Sequence, residues 1–141
     1  MSGQIDLHSE LPDFILSNEP KVLNWIRDCV SEEDKTLGQL NFIFCSDAYL
    51  LDLNQRYLDH DYYTDVITFD YSNEVVVSGD VFISIERVND NARELQIDNE
   101  TELNRVMIHG VLHLCGHGDK SASEQKVMRE KEDYYLSLRS F

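Results

Sequence analysis

The chain has 141 residues, 42% of them apolar and 28% charged, and a formal net charge of −15. That length leaves room for one buried core with a cleft, and the composition is that of a globular protein in water. Affinity for a phosphate backbone comes largely from lysine and arginine, so the acidity opposes general nucleic-acid binding and any such contact needs a local basic patch.

No apolar run approaches the ~20 residues of a membrane span, and the opening MSGQIDLHSE lacks an apolar signal core, which points to the cytoplasm. Cys29, Cys45 and Cys115 are odd in number and widely spaced, as expected of reduced, mostly buried thiols. With no repeat and no Gly/Ser/Pro linker, residues 1–141 read as a single domain.

In chain order, Gln4 to His8 alternates weakly and reads as a first strand. Asn18-Glu19-Pro20 sets a proline in the first turn of a helix, and Val22, Leu23, Ile26, Cys29 and Val30 follow at helical spacing. The acidic run Ser31 to Asp34 reads as a solvated exit loop. Leu40 to Cys45 is a strand, and Ser46 caps a helix reaching about Tyr57, with Leu50, Leu53 and Tyr57 on one side. Asp61-Tyr62-Tyr63 is an aromatic loop, more often packed on its own domain than stacked on RNA bases, and His8 and His60 read as surface residues. Thr64 and Asp65 read equally as turn formers and as substrate contacts.

Val66 to Tyr71 and Val75 to Ile85 make an antiparallel pair of strands turning near Ser72-Asn73, with a bulge expected at Ser78-Gly79-Asp80. Glu86 to Leu95 is a polar helix. Asp98 or Asn99 caps the next one, with Glu102 in the capping-box position after Asn99. Leu103, Val106, Met107, Val111 and Leu114 give this helix an apolar stripe for the sheet, and Ser121 with Glu124 opens a terminal helix to about Leu138.

The segment Ile108 to Asp119 (IHGVLHLCGHGD) holds three of the chain's five histidines. His109 and His113 are i and i+4, so on a helix both imidazoles can reach one metal about 2 Å from each nitrogen. If the helix continued, His117 would lie roughly 12 Å along the axis from His109. Gly116 and Gly118 permit a bend instead, which brings Asp119 back over the metal; the competing assignment makes His117 the ligand and Asp119 a cap. His117 is otherwise expected to be dispensable. Cys115, about 200° around the helix from His113, should face the core.

His-x-x-x-His-x-x-Gly-x-x-Asp has metzincin-like spacing, with a carboxylate for the third histidine. Those enzymes carry a glutamate general base directly after the first histidine, where this chain has Gly110, so zinc-peptidase chemistry is disfavoured. Three protein ligands leave an open position, at which zinc brings the pKa of water to about 7. Zinc is the preferred divalent metal, one per chain, although two imidazoles and a carboxylate also suit iron or nickel.

The segment His109-Gly110-Val111-Leu112-His113-Leu114-Cys115-Gly116-His117-Gly118-Asp119 resembles the signature His-Gly-x-Leu-His-Leu-x-Gly-Tyr-x-His of the bacterial endoribonuclease YbeY family of rRNA maturation. The resemblance extends to Leu53-Asn54-Gln55-Arg56-Tyr57, Thr64-Asp65-Val66-Ile67-Thr68-Phe69 and Gly79-Asp80-Val81-Phe82-Ile83-Ser84, covering about residues 40 to 136. It implies an α+β fold with a small mixed sheet packed with helices, a single metal, and a role in ribosomal RNA processing and ribosome quality control. Its partners would be ribosomal RNA or a ribosomal particle, with a ribosomal protein or a GTPase as further possibilities, and no membrane. Two positions depart from the family: Asp119 stands at its third histidine, and Leu58 at an arginine that follows the tyrosine matching Tyr57.

The expected activity is metal-dependent endoribonucleolytic hydrolysis, with the metal on His109, His113 and Asp119 and the RNA met by Arg56, Arg87, Lys120 and Lys126. Two other classes compete: a metal-dependent hydrolase of a peptide or amide bond, and a non-catalytic ribosome-assembly factor whose metal is structural.

Overall fold

The computed structural model describes residues 3–58 and 64–141; the Asp61-Tyr62-Tyr63 loop and His60 lie outside them. Within the described residues the order is β1 (Gln4–Ser9), α1 (Glu19–Glu32), β2 (Thr36–Cys45), α2 (Asp47–Leu58), β3 (Val66–Asp70), β4 (Val76–Ser84), α3 (Ile85–Leu95), α4 (Asn99–Leu114) and α5 (Ala122–Ser137). The sheet runs β1-β2-β4-β3. β2 pairs in parallel with β1 and β4, while β3 pairs antiparallel with β4, so the sheet is mixed and the fold is α+β as expected.

Strand alternation sorts side chains to two faces. Leu40, Phe42 and Phe44 of β2 and Val77, Val81 and Ile83 of β4 join the main core with α1 and α4. Ile67, Phe69 and Phe82 turn the other way and pack with Leu50 and Leu53 of α2. At about 25 cal/mol per Å2 such apolar burial is the main favourable term, and it fixes α4 against β3 and β4. Trp25 Nε1 donates to the Tyr135 carbonyl (2.7 Å), tying α1 to α5.

Three local expectations are corrected. The bulge lies in β2 and not in Ser78-Gly79-Asp80: Leu37 pairs with Val77 and Leu40 with Gly79, so β2 takes three steps where β4 takes two. Gln39 N–H donates to Ser78 Oγ (3.2 Å) across the irregularity, and the β4 pairing with β3 stays regular there. The run Ser31 to Asp34 is not simply solvated, because α1 continues to Glu32 and the Glu33 side chain is only 8% exposed. Its carboxylate is drawn inward by donors from three other positions, which the acidic sequence does not reveal. Finally, Asp98 is the cap of α4, accepting from Thr101 N–H (2.7 Å), so Glu102 falls past the capping-box position and is buried. Ser121 and Glu124 do form the expected reciprocal box on α5. Among the described residues, no helix is long and apolar enough to cross a membrane.

Candidate metal centre

Helix α4 presents one face to the sheet and the other to a cavity. Ile108, Val111, Leu112 and Leu114 are buried, whereas His109 and His113 keep 21% and 24% of their side chains exposed. Between them, Gly110 sits so close to the sheet that a Cβ would fall 2.7 Å from Val81 Cγ1. The position that carries a glutamate base in the peptidases is therefore a packing contact here, and it faces away from the histidine pair.

The helix ends where Gly116 takes φ +104°, a backbone that favours glycine. Gly116 N–H donates to the His113 carbonyl (3.0 Å) and His117 N–H to that of Leu112 (3.0 Å), a Schellman closure that reverses the chain. Asp119 returns over the last turn, with Oδ2 at 3.4 Å from His109 Nε2 and 3.3 Å from His113 Nε2. The two Nε2 atoms are 3.0 Å apart. Ligand atoms held about 2.0–2.1 Å from a tetrahedral ion stand roughly 3.3 Å from one another, so this triangle has the size of a metal site.

The outer nitrogens strengthen that match. His113 Nδ1 lies 2.9 Å from the His117 carbonyl, which can only accept, so Nδ1 carries the proton and Nε2 offers its lone pair. His109 Nδ1 lies 2.7 Å from Glu132 Oε2, fixing the same tautomer. With both Nδ1 atoms committed to acceptors, the two Nε2 atoms 3.0 Å apart and the carboxylate beside them are left to share a proton or a metal ion. The donor set therefore fits a divalent metal on its own chemistry.

Charge around the site has a consistent sign. Burial alone would lower the His109 pKa, but the hydrogen bond and charge of Glu132, with Asp119 and Asp65, outweigh it and raise it, the signature of a field that favours a cation. Glu132 is 6% exposed and is itself held by Arg105 Nη1 at 3.2 Å, which also reaches Asp133 at 2.9 Å. Burial pushes the Asp65 carboxyl above its usual range, only partly offset by His109.

A cavity of about 610 Å3 opens beside His109 and Asp119, walled by Asp65, Glu102 and Glu132 and by Arg105, Lys126 and Arg129. Of the expected RNA contacts only Lys126 lines it. Arg56 projects from the exposed side of α2 and pairs with Asp52 (3.4 Å), Arg87 pairs with Asp47 (2.8 Å), and Lys120 is exposed beside Asp119. Asp65 lines the cavity, while Thr64 Oγ1 donates to the Val66 carbonyl (3.4 Å) as a turn former. Cys115 packs against the core as expected, and burial pushes its thiol up to about 12.

Sequence reasoning missed Arg105, Arg129, Glu132 and Glu33. Arg105 had a findable signal, since it precedes His109 by four residues on the same helix. The other three reach the site by tertiary packing.

A helix bearing two histidine donors, closed by a glycine turn that returns a carboxylate, on a small mixed sheet, defines a protein of the metal-site α+β class. The endoribonuclease YbeY family model matches residues 10–139. The chain belongs to that family. It is 51% identical over 126 residues to the endoribonuclease YbeY of Flavobacterium psychrophilum, covering 89% of this chain and 90% of that one. The endoribonuclease YbeY of Christiangramia forsetii is 45% identical over 136 residues, covering 96% and 94%. A solution structure from Thermotoga maritima matches with a TM-score of 0.69 and 29% identity, covering 95% of this chain and 87% of that one.

Proposed function

We propose that this protein is a metal-dependent endoribonuclease of the cytoplasm, acting on ribosomal RNA during maturation and ribosome quality control, with one divalent metal, zinc by preference. The observation that carries the reading is the donor triangle of His109, His113 and Asp119, with both Nδ1 atoms committed elsewhere. Family membership supports the ribonuclease part. Held there, the metal supplies Lewis acidity, acidifying water at its open position and polarising a phosphoryl oxygen.

The chain's own groups do the rest. Glu132 and the His117 carbonyl hold the two rings in the productive tautomer. Of the cations in the cavity wall, Lys126 is the one placed to meet a phosphodiester, because Arg105 is engaged by Glu132 and Asp133 and Arg129 by Glu132. Asp65, half-buried, and Glu102, buried, are both raised in pKa by burial and are the groups in that wall able to hold a proton. Peptide hydrolysis is disfavoured by Gly110, whose place against Val81 leaves no room for the usual base. The assembly-factor reading is favoured by Leu58, an apolar residue at the family's arginine position.

Cleavage of rRNA precursor fragments with and without chelator separates these readings. A metal-dependent endoribonuclease makes endonucleolytic cuts that vanish on chelation and return with metal; intact RNA at stoichiometric metal would favour the assembly factor.

A further inference from the structure

The turn that carries Asp119 is anchored from a distant helix. Glu33, directly after α1, places Oε1 at 2.7 Å from His117 Nε2, across 84 residues of sequence. Its Oε2 accepts from Lys131 Nζ (3.0 Å) and from the Tyr135 hydroxyl, both on α5. His117 uses three groups at once: its side chain meets Glu33, its N–H donates to the Leu112 carbonyl, and its own carbonyl accepts from His113 Nδ1. Two residues later comes Asp119, and two beyond that Ser121, itself pinned by the Glu124 capping box. Asp119 thus spans two fixed points, one of which is fixed by Glu33.

We infer that Glu33 is a positioning residue for the metal centre, acting through His117 to hold both the His113 ring and the Asp119 carboxylate in ligating geometry. The inference rests on the metal reading above. Its physical basis is that a ring bonded at Nδ1 to a carbonyl is only as well oriented as that carbonyl. The peptide of His117 lies in a short turn between two helices, held at its N–H by the Leu112 carbonyl, and the part-buried side-chain contact with Glu33 adds a second restraint on its rotation.

Cobalt(II) titration of the metal-stripped protein tests this, because the visible bands report coordination geometry as well as affinity. Glu33→Ala and His117→Ala should each weaken Co2+ binding by about 10–100-fold, the usual scale for outer partners of ligands, and should perturb the same bands. The double variant should lose no more than either single one, since both break one path. Glu33→Gln keeps an acceptor for Nε2–H and should stay within a few-fold of the parent.

Tyr135→Phe removes a different Glu33 partner and should lower thermal stability while leaving Co2+ affinity and spectrum unchanged. Parental Co2+ affinity and bands in Glu33→Ala, or additive losses in the double variant, would overturn the inference. Should Glu33→Ala fail to fold, His117→Ala with parental bands overturns it equally. Absence of Co2+ binding by the parent chain would instead sink the metal reading itself.

Discussion

A histidine ring reaches a metal with one nitrogen only, so whatever holds the other nitrogen decides how well it binds. At His109 that role falls to Glu132, 2.7 Å away and nearly buried. Glu132→Ala should therefore weaken zinc binding by about 10–100-fold in a chelator competition, with Glu132→Gln closer to the parent because it can still accept from Nδ1–H. Asp119→Ala, which removes a donor outright, should cost more than either. Asp119→His should retain the metal and raise the formal charge of the site by one unit, and loss of metal in that variant would argue against a ligand at this position.

The two histidines and Asp119 were legible in the sequence because their geometry is local: i, i+4 spacing on a helix, then a glycine turn. Glu132 and Glu33 were not. Each is one acid among 27, brought to the site by helix packing that no spacing rule encodes. His117, read as dispensable, proves tied to Glu33 by its ring and to His113 by its carbonyl.

At the scale of elements, α4 must press on β4 closely enough to bring its outer face to the cavity. Gly110 permits that approach, and Gly110→Ala would set a Cβ 2.7 Å from Val81 Cγ1. Overpacking of this kind costs about 1–3 kcal/mol, so the denaturant midpoint should fall, and an unchanged midpoint would mean the helix sits further out than described.

The junction of α1, α5 and the Asp119 turn carries a pH signature. Burial alone would raise the Glu33 pKa, but hydrogen bonds from Tyr135, His117 and Lys131 outweigh it and hold the carboxyl below its ordinary 4.5. A depressed pKa contributes stability in full above the unfolded value, and that contribution is lost as pH falls through the folded one. Metal-free protein should accordingly lose stability below about pH 4.5 more steeply than Glu33→Gln does, as read by urea melts across that range. Strand and helix identities were legible from periodicity. The β2 bulge was not, because Gly79 marked β4 while the extra residue belongs to its neighbour.

For the whole molecule the problem is one of sign: a chain of net charge −15 has to approach a polyanion. On the proposed function, the cavity-wall cation placed to meet a phosphate is Lys126, since Arg105 and Arg129 are paired with Glu132. RNA affinity should thus fall with ionic strength along a shallow slope, about 0.7 per phosphate for a single strand, equivalent to a few contacts. Lys126→Ala should reduce that slope by about one contact, whereas Arg56→Ala should leave it unchanged, because Arg56 stands on α2 outside the cavity wall.

A metal held by His109, His113 and Asp119 is tested most directly by elemental analysis of protein purified without added metal. One divalent ion per chain is expected in the parent, and none in His109→Ala or His113→Ala, with helical circular dichroism retained because the apolar face of α4 does not depend on the ion. Stoichiometric metal retained by either histidine variant would contradict the account.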